Sequence, residues 1–326
     1  MPDVDAVDGG AQPPLPLDDF ALTVVVPCLN EADNIPDTYR EIAEALGDRV
    51  NLEILFVDDG SSDETLARIR SVADRDERVS YLSLSRNFGI EAAFSAGYRY
   101  ARYPWVLHLD ADLQFPPAEA KRLIARAAEG YDAVFGIRVD RKDPWPRRAA
   151  SLVHDWIARR LLGIEIPPKA TTFRLVRTEI ARRIVDLRLG TPYFLATLPR
   201  LTRAWTTVPT AHRPRAHGSS KVTVRGLAKH SLDLFFGFSP RPMAAAVWAG
   251  LAGLPVALAA GLTGSPALFG LALAAALLAL ALMGRALLHL SRGQTRPPLF
   301  LIREANVPVE AADLLEGAAA RAGGRR

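Results

Sequence analysis

From Met243 to Gly284 the chain runs for 42 residues without a single Asp, Glu, Lys, Arg or His. No evenly patterned soluble globule carries such a run, because a core helix normally keeps one polar face for solvent. The run divides at Thr263-Gly264-Ser265-Pro266, a turn-forming tetrapeptide. Each half is then about 20 residues, or roughly 30 Å as a helix, which is one crossing of a bilayer. We expect a transmembrane hairpin over 243–288, with helices at 243–262 and 267–288. A pair of buried helices is the alternative, but two helices that are apolar all round need a larger protein shell than 326 residues offer.

Charge is placed to match. Residues 212–242 hold six basic residues against one acidic, and 285–326 hold seven against four. Positive charge beside both outer ends, with an uncharged turn between the helices, predicts an integral protein of the plasma (inner) membrane with both termini cytoplasmic. The net charge of +4 is therefore a sum of unlike parts. Met1 to Asp19, rich in Pro and Asp, has neither the basic start nor the apolar centre of a signal peptide; residues 1–20 read as a disordered lead-in. Cys28 is the only cysteine, so the chain has no intrachain disulfide and no cysteine metal cage.

Between lead-in and hairpin, residues 21–221 alternate short apolar runs with helical patterns. The runs are Leu22–Pro27, Leu52–Val57, Val79–Leu84, Trp105–Leu109 and Ala133–Ile137. This predicts an α/β domain, a mainly parallel sheet with helices on both faces. Ser61-Ser62-Asp63-Glu64 has capping-box spacing before a helix ending near Arg75, and Pro116–Glu129 reads as a second helix closed by Gly130. The juxtamembrane segment 222–242 is amphipathic and fits either the membrane surface or a packed position on the sheet. Residues 289–326 are expected to form a cytoplasmic tail.

Two acidic clusters end predicted strands: Asp58-Asp59-Gly60-Ser61 and Asp110-Ala111-Asp112. Ligands of open α/β sheets bind outside the carboxyl ends of the strands, so clusters on neighbouring strands would converge. Carboxylates without Cys or a His cluster suit a hard divalent cation, Mg²⁺ or Mn²⁺, and such a cation usually completes its shell with phosphate oxygens. Helix capping is the bland alternative, and for Asp63 it is the preferred one. Cys28, His108 and His154 lack partners at ligand or nucleophile spacing and read as structural. The segment Arg141–Arg148, with Trp145 among bases and prolines, fits an acceptor loop or a plain surface loop.

Four motifs in order carry a resemblance: Val24–Glu31, Val57–Ser61, Asp110–Gln114 with Pro116-Pro117, and Arg215-Ala216-His217-Gly218-Ser219-Ser220-Lys221. Together with the hairpin and the tail Arg296–Glu304, they resemble the family 2 glycosyltransferases that act on polyprenyl phosphates, such as dolichol-phosphate mannose synthases and bactoprenol-phosphate glucosyltransferases. The resemblance covers about residues 21–305. It implies a GT-A (Rossmann-like) fold and an inverting transfer of one sugar from a nucleotide-diphospho-sugar to a polyprenyl phosphate. By the same resemblance Pro27, Leu29 and Glu31 would line the nucleoside, with Asp59 or Asp58 at the base. Asp110, Ala111, Asp112 and Gln114 match the metal and diphosphate motif, the metal ligands being Asp110, Asp112 and Gln114. Arg138 matches an arginine near the donor, and Arg215 and Lys221 match a basic pair that meets phosphates; with Asp112 they form the expected catalytic set. Val222, where the family usually has tyrosine, and His217 are departures on the acceptor side.

Partners are then the donor, the lipid acceptor and the membrane, with no nucleic acid, and homo-oligomerisation is left open. Rival readings are a same-family enzyme with another acceptor and a catalytically silent membrane scaffold. A processive synthase is disfavoured because no Gln-x-x-Arg-Trp occurs, the Gln residues being 12, 114 and 294. A nucleotidyltransferase is disfavoured because Val24–Glu31 is not a Gly-rich phosphate loop.

Overall fold

The structure is a computed structural model that describes residues 20–47, 50–138, 153, 156–167, 169–187, 193–213, 224–294 and 299–315. The five apolar runs all form strands, each within a residue of its expected limits. They are β1 (Ala21–Cys28), β2 (Asn51–Asp58), β3 (Val79–Leu84), β4 (Trp105–His108) and β5 (Ala133–Arg138). Continuous runs of Val, Ile, Leu and Phe form such strands because both faces are covered; seven of eight residues are buried in each of β1 and β2. Crossover helices α1 (Ile35–Leu46), α2 (Thr65–Ala73), α3 (Ile90–Tyr100) and α4 (Ala120–Ala127) connect them. One core lies under α1, α2 and α4, around Val24, Ile54, Phe56, Leu107 and Leu123; the other lies under α3, around Val25, Leu55, Val57, Phe94 and Val106.

Beyond β5 the chain adds β6 (Ala170–Arg177), α5 (Thr178–Asp186), α6 (Phe194–Leu201) and β7 (Trp205–Thr210). The sheet order is β7-β5-β6-β4-β1-β2-β3-β8, where β8 is Ile302–Ala305. β1 pairs parallel with β2 and β4, β2 with β3, and β5 with β7; β6 and β8 run antiparallel to their neighbours. The strands carrying the acidic clusters are thus not neighbours: β1 lies between β2 and β4, and all three end on the same side. Helix α3 lies so close to β1 that a Cβ at Gly97 would sit 2.2 Å from Val25 Cγ1.

Helix α7 (Val224–Phe238) precedes the hairpin. Leu234 and Phe238 bury against Leu162, Ile164, Tyr193 and Ala196, so this end of the amphipathic segment packs on the α/β unit. The hairpin consists of α8 (Arg241–Thr263) and α9 (Pro266–Gln294), with Gly264 at φ +63 between them. Small residues form its seam: Ala246, Ala260, Ala279 and Ala286 are buried. The outer face is open, with Leu254, Leu258, Leu262, Phe269 and Leu280 each at least 64% exposed. These helices are long and apolar enough to cross a membrane, and only 11% of the most apolar stretch of each is buried. They are therefore not the core of a soluble domain.

After the hairpin the chain returns to the sheet. The tail expected over 289–326 supplies β8, which pairs with β3, while Glu304 takes a bidentate ion pair from Arg70 of α2 and a hydrogen bond from Tyr81.

Candidate functional site

The carboxyl ends of β1, β2 and β4 lie side by side at one end of the sheet, and the loops that follow them are tied together by hydrogen bonds. After β1, Asn30 adopts φ +52; its N–H donates to Ser61 Oγ (3.0 Å), and its Oδ1 accepts from Ser62 N (2.9 Å). Glu31 N donates to Thr65 Oγ1 (2.9 Å). These bonds displace the expected capping box. Ser61 serves the β1 loop, so α2 begins only at Thr65, whose N–H is taken by Asp63 Oδ1 (3.0 Å). Asp63 thus does the local capping work expected of it.

Asp58 and Asp59 are buried and point in different directions. Asp58 Oδ1 accepts from Ser61 N (3.0 Å) and Oδ2 from Ser83 Oγ (2.9 Å). Asp59 accepts from the N–H groups of Phe88 (2.8 Å) and Gly89 (2.9 Å), at the start of α3. Burial pushes the Asp59 carboxyl up, and those two N–H groups oppose the shift. Gly60, at φ +70, lets the turn pass against Arg86 and Asn87. Cys28, beneath this cluster, has its thiol pushed well up, first by burial and then by Asp58, Glu31 and Asp63. It is a core side chain and no nucleophile.

The second acidic segment is held from three sides. Asp110 Oδ2 accepts from Thr172 Oγ1 of β6 (2.8 Å), Thr38 Oγ1 of α1 donates to Ala111 O (2.9 Å), and Arg213 N donates to Gln114 O (2.8 Å). Leu113 takes φ +54, and Gln114 N returns to Asp112 Oδ1 (3.1 Å), which closes the turn. Asp112 is 7% exposed and Asp110 is half-buried. Two carboxylates and one amide, all hard oxygen donors on one five-residue segment, fit Mg²⁺ or Mn²⁺. Among the described residues no three His, Cys, Asp or Glu side chains gather as a metal cage by themselves.

Arg138 ends β5 on the same side of the sheet, with its guanidinium 5.5 Å from the Phe115 ring centroid. Pro27, Leu29, Glu31, Asp58, Asp59, Asp110, Ala111, Asp112, Gln114 and Arg138 thus all lie at one sheet end. Arg215 and Lys221, the loop 141–148, His154, His217 and Val222 lie outside the described residues.

Beneath the second segment sits a buried polar chain that the sequence did not announce. Arg174 of β6, 2% exposed, donates to Tyr98 Oη (2.9 Å), and Tyr98 shares a 2.7 Å hydrogen bond with His108 Nδ1. Burial, then Arg174, holds His108 well below the ordinary imidazole range, so it is neutral and accepts the Tyr98 proton. Burial drives Tyr98 up to about 12. His108 is structural, as its isolation in the sequence suggested. Thr38, Thr172 and Ser83 were also missed, because a lone hydroxyl on a distant element carries no spacing signal.

A family model described as Glycosyl transferase family 2 matches residues 23–185. The undecaprenyl-phosphate 4-deoxy-4-formamido-L-arabinose transferase of Edwardsiella ictaluri is 33% identical over 226 residues, covering 69% of this chain and 70% of that protein. The protein of the same name from Pseudomonas aeruginosa is 34% identical over 234 residues, covering 71% and 68%. Among solved structures, glucosyl-3-phosphoglycerate synthase from Mycobacterium tuberculosis superposes with a TM-score of 0.49 at 19% identity, over 67% of this chain and 79% of that one.

Proposed function

Since the chain belongs to glycosyltransferase family 2 and is a glycosyltransferase of GT-A-like fold, we propose that it moves one sugar, with inversion, from a nucleoside-diphospho-sugar to a polyprenyl phosphate. The reaction takes place at the cytoplasmic face of the membrane. The observation that carries the reading is the joining of two parts: a crevice with two pinned acidic loops, and an exposed apolar hairpin whose two ends both return to the same α/β unit. A soluble acceptor would not require such a hairpin. The names of the relatives, undecaprenyl-phosphate sugar transferases, support the same acceptor class.

Pro27, Leu29, Glu31 and the Asp58–Asp59 pair form the nucleoside side of the crevice. Asp110, Asp112 and Gln114 would hold the divalent ion, which supplies Lewis-acid neutralisation of the departing diphosphate. Their positions are fixed before substrate arrives by Thr172, Thr38 and the Asp112–Gln114 turn, so no reorganisation is needed during transfer. Arg138 adds fixed positive charge on the donor side. The acceptor phosphate is already anionic at neutral pH and needs orientation rather than deprotonation. Arg215 and Lys221 would supply that, the first as a planar fork and the second as a point charge.

The hairpin spans the membrane. Packing of both α7, before it, and β8, after it, on the α/β unit supports one side for its two ends, and the flanking bases support the cytoplasm as that side. The reading is tested by purifying the full chain in detergent and following nucleotide release with polyprenyl phosphate present or omitted. Release that does not depend on the lipid refutes the acceptor assignment.

A further inference from the structure

The geometry points to Arg303, in the strand that follows the hairpin, as a positioning residue of the donor crevice. This rests on the donor reading above and adds to it a segment that none of the four motifs contains. Strand β8 pairs Glu304 with Ser83 and Ile302 with Leu84, and the register shifts between them, leaving Arg303 as the extra residue of a bulge. Bulges re-aim a side chain out of the regular alternation. Here the Arg303 guanidinium Nη2 donates to Ser83 Oγ (3.2 Å), and Ser83 Oγ donates to Asp58 Oδ2 (2.9 Å). The other Asp58 oxygen takes Ser61 N, the amide that begins the turn facing Asn30.

A cation on the tail therefore polarises the hydroxyl that holds a fully buried carboxylate, and that carboxylate holds the donor loop. The strand is anchored well enough to do this. Phe300 and Ile302 are buried, Ser85 N donates to Leu301 O (2.8 Å), and Glu304 binds Arg70 and Tyr81. The chain reaches this place only by running through the hairpin. The donor side of the crevice is thus completed by a residue that arrives after the apolar helices, which ties nucleotide binding to correct placement of the hairpin.

The test uses the full-length protein in detergent with Mn²⁺ and measures UDP and GDP binding by calorimetry for wild type, R303M, R303K, S83A and R303M/S83A, with thermal midpoints in parallel. R303M should weaken binding of the preferred nucleotide about tenfold with an unchanged thermal midpoint, the scale of losing one charge-assisted hydrogen bond. R303K should recover most of the loss. S83A should match R303M, and the double variant should lose no more than the worse single one, since both act through one path. Wild-type affinity in R303M, losses that add in the double variant, or no recovery in R303K would each overturn the inference while leaving the donor reading in place. Tenfold weakening in R303M alongside a wild type that transfers nothing to polyprenyl phosphate would sustain it and refute the acceptor assignment. Absence of nucleotide binding by wild type overturns both.

Discussion

Adding one methyl group at Gly60 should collapse the donor side of the crevice. A Cβ there would lie 2.4 Å from the Arg86 carbonyl carbon and 2.8 Å from Arg86 Cα and Asn87 N. All three are backbone atoms, so no rotamer change relieves the contact; one loop must move by about 1 Å to reach ordinary carbon contact. The residue also sits at φ +70, which costs a side chain about 1–2 kcal/mol. Overpacking adds about 1–3 kcal/mol, so Gly60→Ala should lose about 2–5 kcal/mol in all. The segment that must yield leads directly to the Phe88 and Gly89 N–H groups bound by Asp59, so the damage reaches the site. The assay is thermal inactivation of detergent-solubilised protein together with the donor KM. The midpoint should fall by about 4–20 °C for a domain of this size, and donor KM should rise at least tenfold. Gly130→Ala is the control: its φ is +101 but nothing lies within 4 Å of the added carbon. A Gly60→Ala protein that behaves like Gly130→Ala and keeps its donor KM would refute the reasoning.

Three further expectations follow from the same geometry. Asp110→Asn and Asp112→Asn should each abolish Mn²⁺-dependent transfer while the thermal midpoint stays within a few degrees of wild type; full activity in either would remove that residue from the metal set. His108 is neutral in the folded protein and titrates near pH 6.5 when unfolded, so below that pH the unfolded chain binds the extra proton. Stability should fall as pH drops from about 6.5, by up to about 1.4 kcal/mol per pH unit, and His108→Phe should flatten that slope; an unaltered slope contradicts the assignment. Leu258→Arg combined with Leu277→Arg, both on the open face of the hairpin, should each cost about 2.5–3.5 kcal/mol of insertion and shift the chain out of alkali-washed membranes. Undiminished detergent-requiring attachment would show that these helices are not in lipid.

The sheet was legible wherever a strand is buried on both faces, because runs such as Val24-Val25-Val26 and Ile54-Leu55-Phe56 have no other economical use. β6 was not, since its centre is Arg174, a buried cation whose partners Tyr98 and His108 come from other elements. β8 was visible as a motif in the tail but not as a strand, because four residues carry no periodicity and its place at the β3 edge is a tertiary fact. The acidic clusters could be read from their positions after apolar runs. What fixes them could not: Thr172, Thr38 and Ser83 are ordinary hydroxyls until the fold brings them within hydrogen-bond reach. The capping box at Ser61 shows the opposite error, a local pattern overruled because the β1 loop has a stronger use for the same hydroxyl.

Everything above converges on transfer of a single sugar to a lipid phosphate. The most direct measurement incubates the full-length protein with undecaprenyl phosphate, Mn²⁺ or Mg²⁺ and a panel of radiolabelled UDP- and GDP-sugars, then counts label in the organic phase. The expected result is lipid-soluble label from one donor class, lost with EDTA or in Asp112→Asn. Label that stays in the aqueous phase with every donor, despite a folded protein and added metal, would contradict it.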